Sequence, residues 1–302
     1  MQQRDAAANH WANLEWACST PHIATDARLP WLPAGRLAAL GDFFRSGATR
    51  RRLQPELEAT LAASTSPRLG VYFEDLWSFI FRHHPDYQLV ARNLPLRCAG
   101  RTLGELDFVV RYLPDGVFEH WEIAVKFYLQ VRGSYWVGPG LRDRLDTKLA
   151  RMAEHQLPVA GYPESRSILA REGIHIDRQW TLMPGRLFRP LEQQNAPLHQ
   201  SPTPVNPASC HYWWATAEQF IRQFEARALA WCRLPKRTWL ADYGYRPGVS
   251  YDCDALARTL ANGEGKPGMQ RPVCVAGRDD SGEASRGFLV PGNWQARVLD
   301  SL

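Results

Sequence analysis

Two apolar runs joined by a Pro-Asp-Gly turn restrict the fold of this chain more than any other feature. The runs cover residues 103–110 and 120–129, and each has the alternating pattern and the aromatic and β-branched residues of a strand. A hairpin centred on Asp115, give or take half a residue, sets Asp107 opposite residues 122–124 in antiparallel register. The centre of the chain is therefore predicted to be an antiparallel hairpin.

Side chains alternate between the two faces of a strand, and this alternation sorts the hairpin into an apolar and a polar face. The apolar face takes Gly104, Leu106, Phe108 and Val110 from the first run and Trp121, Ile123, Val125, Phe127 and Leu129 from the second. The polar face takes Glu105, Asp107, His120, Glu122 and Lys126. Burying carboxylates and a lysine costs free energy unless the groups pair or hold a metal ion. The polar face is therefore the best candidate for a functional site.

The predicted register brings two carboxylates of this polar face close together. The Cβ atoms of Asp107 and Glu122 are expected roughly 5–8 Å apart, a separation at which both groups can share a divalent cation of the Mg²⁺ type. Lys126, a step or two further on, would then orient a water molecule or stabilise charge on a phosphate. A structural ion pair on a half-exposed sheet is the alternative that periodicity leaves open.

The overall composition allows a nucleic-acid partner without requiring one. The chain has 302 residues, 45% hydrophobic and 22% charged, which is enough for one large domain or two modest ones. A formal net charge of +5 fits a polyanionic partner only weakly. The 12 tryptophans either pack in a core or stack on bases, and the sequence leaves both uses open.

The cysteine pattern and the hydropathy pattern both favour a reduced, soluble protein of the cytoplasm. Six cysteines are scattered without any Cys-x-x-Cys pair, so the sequence has neither a zinc signature nor a disulfide framework. The first residues lead into no apolar core of a signal peptide, and no run approaches the ~18 apolar residues of a membrane-spanning helix. We expect no membrane partner, and the oligomeric state stays open.

Periodicity and turn signals predict the remaining elements. Helices are expected within residues 1–60 and over 67–84, 141–156, 163–173 and 214–234, and strands over 87–97, 176–188 and 288–290. Residues 131–140 are expected to form a loop, 190–209 a linker, and 262–286 a flexible segment.

The predicted helix at 141–156 carries a basic ridge made of Arg144, Lys148 and Arg151. It follows a Gly-Pro-Gly loop, so the backbone at Gly138 and Gly140 could seat a phosphate next to a free helix N-terminus. The ridge would hold backbone phosphates of a nucleic acid, a contact that positions the ligand without reading its sequence. A plain capped surface helix is the alternative interpretation.

Several segments resemble the bacterial DUF1853 family, a domain of unknown function placed in the PD-(D/E)XK nuclease superfamily. They are residues 16–21, 72–77, 103–108, 120–129, 138–139, 143–146, 155–157 and 288–291. The predicted order helix, strand, strand, strand, helix, strand over residues 69–188 is also similar to the core of that superfamily. Glu74, Asp107 and Lys126 stand in the order of its motif.

The resemblance implies an α/β fold (α+β, with a mixed sheet) that has a restriction-endonuclease-like αβββαβ core. That core would cover residues 67–190, between a helical N-terminal extension at 1–66 and a linker with a C-terminal extension at 191–302. The implied activity is phosphodiester hydrolysis that depends on Mg²⁺ or Mn²⁺, with DNA a better candidate substrate than RNA. The implied catalytic residues are Asp107, Glu122, Lys126 and Glu74, and the implied metal ligands are Asp107, Glu122 and Glu105.

One position departs from the superfamily pattern. An acid is expected two residues before the lysine, and this chain has Ala124 there. Glu122 would restore the second carboxylate from the same strand face, or Asp107, Glu105 and Glu74 would hold the metal without it. The alternative function is a catalytically inactive nucleic-acid-binding or assembly protein on the same fold, since a fold does not fix an activity.

Overall fold

The fold mixes helices and sheets, as the sequence predicts. The computed structural model describes residues 6–132, 135–194, 196–197, 203–261 and 269–300. Its helices in that part of the chain are α1 (His10–Ala17), α2 (Ala34–Arg45), α3 (Gly47–Ala63), α4 (Leu69–His83), α5 (Leu145–Arg151), α6 (Pro163–Arg171), α7 (Ala217–Phe224), α8 (Cys253–Ala261) and α9 (Trp294–Leu299). None of the helices in these ranges is long and apolar enough to cross a membrane.

The strands fall into two sheets. They are β1 (Tyr87–Cys98), β2 (Arg101–Tyr112), β3 (Val117–Ile123), β4 (Lys126–Val131), β5 (Tyr135–Val137), β6 (Ile176–Leu182), β7 (Gly185–Pro190), β8 (Tyr212–Ala215), β9 (Ala230–Arg233), β10 (Val273–Asp279) and β11 (Gly282–Leu289). One sheet has the order β1-β2-β3-β6, and the other has the order β5-β4-β7-β8-β11-β10-β9.

The chain divides into two compact units that each combine distant segments. Unit 1 consists of Met1–Trp16, Lys126–Asp146 and Gly185–Leu302, and unit 2 consists of Ala17–Val125 and Thr147–Pro184. Unit 1 contains the seven-stranded sheet, and unit 2 contains the four-stranded sheet. The predicted division into residues 1–66, 67–190 and 191–302 follows sequence order instead, and it stays a prediction.

In unit 2, three antiparallel strands are completed by a parallel fourth. Strand β2 pairs antiparallel with both β1 and β3, because short turns connect these consecutive strands. Strand β6 pairs parallel with β3, and the 52 residues between them contain helical segments that carry the chain back. This sheet presents the central residues of β2 and β3 to helical segments on both faces.

Helix α4 covers one face of this sheet with aromatic side chains. Phe81 lies 5.4 Å from Phe108 and 5.1 Å from Trp121 between ring centroids, and Trp77 lies 5.8 Å from Trp121. All four side chains are buried. The helix is apolar on most of its surface because it is enclosed by packed side chains, as its sequence predicts.

The alternation of side chains along β2 is interrupted next to Asp107. Leu106 and Val109 both pack in a cluster with Val159 and Leu169, although residues three apart on a regular strand point to opposite faces. Phe108 packs instead with the aromatic side chains of α4. The prediction that Leu106 and Phe108 share one apolar face is therefore wrong.

Two long predicted strands are each split between the sheets. The run at 120–129 forms β3 up to Ile123 and β4 from Lys126 onward, and the run at 176–188 forms β6 and then β7. In each case the first part pairs in the four-stranded sheet and the second in the seven-stranded sheet. Both sheets bury apolar side chains, so the hydrophobic pattern continues across the break and conceals it.

Three further element predictions are wrong. The helix expected over 214–234 is only α7, which strands β8 and β9 flank. The segment at 262–286, expected to be flexible, contains β10 and the start of β11, and these two strands pair antiparallel. Its residues 262–268 lie outside the described residues. The loop expected at 131–140 contains β5, while its residues 133–134 lie outside the description.

Helices α7 and α8 pack against the seven-stranded sheet of unit 1. The cluster contains Trp213, Phe220, Phe224, Trp231 and Leu256, all buried. Trp213 stacks on Phe220 with 5.7 Å between ring centroids. Nine of the 12 tryptophans are buried, which favours packing over base stacking as their main use.

Gly287 provides a direct test of this packing. A Cβ atom at Gly287 would overlap the indole of Trp213, its partner on the neighbouring strand β8. We expect Gly287→Ala to lower the free energy of unfolding by about 1–3 kcal/mol, because the buried indole has no room to move. Gly292→Ala is the matched control, since a Cβ there meets nothing within 4 Å. Equal denaturation midpoints for the two variants would contradict the packing described here.

Candidate active site

The hairpin of β2 and β3 has the predicted register. Tyr112 pairs with Val117 and Phe108 pairs with Trp121, so continuing the register sets Asp107 against Glu122. The Oδ2 atom of Asp107 accepts a hydrogen bond of 3.1 Å from the backbone N–H of Ile123, across the same strand pair. The two carboxylates that the sequence singled out therefore lie next to each other inside unit 2.

Glu122 is buried in a network of hydrogen bonds. Its Oε2 atom accepts from the Gln156 amide at 2.9 Å, and its Oε1 atom lies 3.2 Å from His120 Nε2. The side-chain amide of Gln179 lies 3.0 Å from His120 Nδ1 and donates to the carbonyl of Leu157 at 2.7 Å. With Nδ1 accepting from Gln179, the Nε2–H of His120 is the donor to Glu122. Both carboxylate oxygens of Glu122 thus have an N–H donor.

Asp107 holds its proton far more tightly than an exposed aspartate. Burial and the negative charge of Glu122 raise the pKa of Asp107 to about 7, and Glu74 adds to this rise. The hydrogen bond from Ile123 and the positive charge of Lys148 oppose it. A carboxyl group whose pKa is raised this far by burial and by a neighbouring charge is typical of functional sites.

Lys148 on α5 is linked to this carboxylate pair through one glutamine. Its Nζ atom donates to Gln156 Oε1 at 2.8 Å, and the Nε2 atom of the same amide donates to Glu122. Gln156 ends a π-helical turn, Met152–Gln156, that directly follows α5. Turns of this π-helical type are rare in proteins overall, and those that occur are often found at functional sites. The sequence predicts Lys148 as part of a phosphate-binding ridge. It gives Gln156 and Gln179 no site role, because isolated amides carry no motif signal.

Glu74 lies on α4 with its carboxylate partly exposed and held by two donors. Its Oε2 atom accepts from Arg92 at 3.0 Å and from the Asn93 amide at 3.2 Å. Asn93 has a φ of 51°, which is uncommon for a residue with a side chain. Glu74 is thus an outer carboxylate whose charge acts on Asp107.

Glu105, the third metal ligand that the family resemblance implies, is exposed on β2 and pairs with Pro95. Within the described ranges, no group of three His, Cys, Asp or Glu side chains is arranged to hold a metal ion. A cation in this region would therefore rest on two carboxylates together with oxygens from a substrate or from water. Mg²⁺ commonly binds with that few protein ligands.

Lys126 belongs to unit 1, where it is the first residue of β4. Its Nζ atom lies 2.6 Å from Asp143 Oδ2, and the Tyr128 hydroxyl donates to Asp143 Oδ1 at 3.1 Å. Burial and the charge of Asp143 raise the pKa of Tyr128. Because β3 ends at Ile123, the expectation that one strand face carries both Glu122 and Lys126 is wrong. The catalytic role expected for Lys126 stays a prediction.

The Gly-Pro-Gly loop does not open directly into a helix. Helix α5 begins at Leu145 rather than at 141, and Gly138 N–H donates to the carbonyl of Asp143 at 2.7 Å. The helix N-terminus predicted next to Gly138 and Gly140 is therefore wrong, and nucleic-acid binding by these two residues stays a prediction.

The other basic residues of the predicted ridge differ in their surroundings. The Arg144 guanidinium hydrogen-bonds to Asp146 and lies 5.5 Å from the Tyr135 ring centroid. Arg151 is exposed at the end of α5. Phosphate binding by Arg144 and Arg151 stays a prediction.

Comparison with known proteins identifies a family but no characterised relative. Neither a curated protein nor a solved structure shows a significant match to the chain. The family model described as a domain of unknown function, DUF1853, matches residues 12–290, which is most of the sequence. The chain belongs to the DUF1853 family.

Proposed function

We propose that unit 2 carries the active site of a nuclease that depends on a divalent metal ion and hydrolyses phosphodiester bonds of DNA or, less favoured, RNA. The observation that carries the proposal is the pair Asp107 and Glu122, two carboxylates held side by side within a sheet. Such an arrangement destabilises the fold unless a cation or a proton compensates it. Natural proteins retain costs of this kind mainly where the groups function.

The sheet topology supports the same proposal. Strands β1, β2 and β3 form an antiparallel meander, and β6 returns parallel to β3 after intervening helical segments. Helix α4 precedes the meander and packs on its face. This order agrees with the αβββαβ core that the PD-(D/E)XK resemblance implies. Membership of that superfamily is part of the proposal. So is a cytoplasmic location, because the six cysteines of the chain are free.

The residues present fit a hard divalent cation such as Mg²⁺ or Mn²⁺. A cation would favour the ionised form of Asp107 at neutral pH, and Glu122 offers the second carboxylate. A bound cation supplies Lewis-acid polarisation of a phosphoryl oxygen. The hydrogen bonds from His120 and Gln156 fix the orientation of Glu122, as supporting groups do around metal ligands.

We assign the role of the site's lysine to Lys148. It lies in the same unit as Asp107, its charge lowers the pKa of that group, and Gln156 connects it to Glu122. An ammonium group in this position stabilises negative charge that builds on a phosphate during hydrolysis. Glu74, held by Arg92 and Asn93, serves as an outer acid that keeps the local potential negative toward a cation.

The alternative function, a nucleic-acid-binding or assembly protein without catalysis, has one specific observation in its favour. Both oxygens of Glu122 already accept hydrogen bonds, from His120 and from Gln156. A carboxylate satisfied in this way can be kept for structure alone. In that case the basic residues of the chain would carry the binding, and neutralising Asp107 would leave affinity unchanged or improved.

The deciding experiment incubates the protein with plasmid, linear and single-stranded DNA and with RNA, in Mg²⁺, Mn²⁺ or EDTA. Asp107→Asn serves as the control for contaminating nucleases, and Arg258→Gln, an exposed position on α8, serves as the matched neutral variant. We expect cleavage that requires the metal, is lost in Asp107→Asn and persists in Arg258→Gln. Binding that survives EDTA and Asp107→Asn, without cleavage of any substrate, would instead establish the binding protein.

A further inference from the structure

A polar cavity lies in unit 1, beside the hairpin of β10 and β11. Its volume is about 470 Å³, within the range of small-molecule sites. The residues that matter for its chemistry are Arg278, Ser285, His211, Asp242 and Tyr243. All of them belong to unit 1.

Two buried arginines fix the segment that forms one wall of this cavity. Arg186 donates from Nε to the carbonyl of Trp239 at 3.2 Å, and Arg286 donates to the same carbonyl from Nη1 at 2.8 Å. Arg186 also donates to the carbonyl of Leu240, and Arg286 donates to the carbonyl of Ala241. Asp242 and Tyr243 follow immediately, so the wall is set before any ligand arrives, which reduces the entropy cost of binding.

The positive charge around the cavity exceeds the negative charge. Glu283 pairs with Arg286 through both oxygens, at 2.6 and 2.8 Å. Arg186 lies 3.5 Å from Asp242, whose side chain is 48% exposed. Burial and the charge of Arg286 lower the pKa of Arg186 to about 9. The lining thus carries Arg278 and Arg286 against Asp242 and Glu283, and the buried Arg186 beside Asp242 adds a third cation. This surplus of positive charge favours an anion in the cavity.

Of the two arginines among the described residues that line this cavity, Arg278 has no carboxylate of its own, and its side chain hydrogen-bonds to Tyr245. It stands opposite Glu283 in the hairpin, but that carboxylate is occupied by Arg286 and by the Tyr245 hydroxyl at 2.8 Å. In the ranges that the structure describes, no Asp or Glu lies within ion-pair distance of Arg278, whose guanidinium carbon lies 5.2 Å from the Tyr245 ring centroid. A half-buried guanidinium of this kind is suited to a bidentate oxyanion.

Ser285 adds a hydroxyl donor to the same cavity. Its Oγ atom accepts from the Trp213 indole at 2.8 Å, and no acceptor for its own proton is recorded among the described residues. At the rim, Tyr243 is 49% exposed and His211 is exposed as well. The cavity thus combines oxyanion donors inside with flat rings at its mouth, where a base can stack.

We propose that this cavity binds a phosphate-bearing small molecule of mononucleotide size, with Arg278 and Ser285 on the phosphate and Tyr243 against the base. Arginine forks and hydroxyl donors match the geometry of phosphate oxygens. The site is separate in its residues from the carboxylate pair of unit 2, so it does not depend on the proposed nuclease activity.

The test is isothermal titration of the full chain with 5′-AMP, 5′-UMP, inorganic phosphate and the two uncharged nucleosides, all in EDTA. The chelator removes cations that would let nucleotides bind at Asp107 and Glu122. We expect the nucleotides to bind, and Arg278→Gln to weaken them at least about tenfold, because a charge-assisted hydrogen-bond pair is lost. Arg258→Gln, an exposed arginine on α8 paired with Asp254, should bind like the wild type.

Three results would overturn the proposal. The first is that no probe binds at concentrations up to about 10 mM. The second is that Arg278→Gln binds the nucleotides with unchanged affinity, and the third is that inorganic phosphate binds as tightly as the nucleotides do. If Arg278→Gln unfolds, Arg278→Lys keeps the charge but loses the planar fork, and it should give an intermediate affinity. Wild-type affinity in that variant would also contradict the assignment.

Discussion

Asp107→Asn is expected to make the metal-free protein more stable, by about 2–4 kcal/mol in free energy of unfolding at pH 8. Burial and the charge of Glu122 raise the pKa of Asp107 from 3.8 to about 7, so the folded state favours the protonated form. The unfolded chain loses this proton near pH 4, whereas the folded chain keeps it up to about pH 7. The folded wild type therefore loses stability as the pH rises from about 4 to about 7. Asparagine at position 107 carries no such proton, so the variant does not lose this stability.

Thermal or denaturant unfolding in EDTA at several pH values between 4 and 8 measures this effect. The gain from Asp107→Asn should be small at pH 4, grow up to about pH 7 and remain constant above it. Asp42→Asn, an exposed carboxylate in the same unit, should show no such growth. A gain in stability that does not depend on pH would show that Asp107 is not held protonated by its surroundings.

The same series with Mg²⁺ connects stability to function. Asp107 and Glu122 would hold a cation in place of the proton, so Mg²⁺ should stabilise the wild type more at pH 8 than at pH 5. Asp107→Asn should not show this stabilisation by Mg²⁺. Its rate of metal-dependent cleavage should be at least about 10³-fold lower than that of the wild type. Equal stabilisation of both proteins by Mg²⁺ would show that the cation binds elsewhere.

Lys148→Ala is expected to lower the turnover number of the proposed nuclease activity by about 10²–10³-fold, with a small change in substrate affinity. Lys148 bonds to Gln156 and through it reaches Glu122, and in the proposed role its ammonium would stabilise charge that develops only during the reaction. Its charge also lowers the pKa of Asp107, so its removal should shift the acidic limb of the pH–rate profile to higher pH. A residue with only a structural role would not move that limb.

Two variants separate this role from the alternatives. Arg151→Ala removes an exposed cation from the same helix, and it should weaken binding without lowering turnover if α5 contacts backbone phosphates. Lys126→Ala tests the lysine that the sequence alone favours, which pairs with Asp143 in unit 1. A large loss of turnover in Lys126→Ala with none in Lys148→Ala would overturn our assignment and restore that of the sequence.

The sequence predicted the local part of the site well. The Pro-Asp-Gly turn and the strand pattern determine the register of β2 and β3, and with it the approach of Asp107 to Glu122. The long apolar stripe of α4 likewise determines a buried helix at the correct bounds, to within two residues. These features depend on residues close in sequence, where steric and hydrophobic preferences act directly.

The partners of Glu122 were not predictable in the same way. Gln156, which bonds to Glu122, lies 34 positions after it, and Gln179, which bonds to His120, lies 59 positions after that histidine. An amide is equally compatible with a surface and with a buried network. The sequence places Lys148 in a basic ridge. Its hydrogen bond to Gln156 depends on the π-helical turn that ends at Gln156. Only the path of the chain after α5 brings these side chains together.

By itself, the sequence determined the hairpin, the buried helix and the two adjacent carboxylates, because each follows from local turn chemistry and alternation. The tertiary structure decided where the strands end. No glycine or proline marks the break between Ile123 and Lys126, and apolar residues continue through it. The break exists because the strand before it pairs with β6 and the strand after it pairs with β7, and pairing partners distant in sequence leave no signal in the run itself.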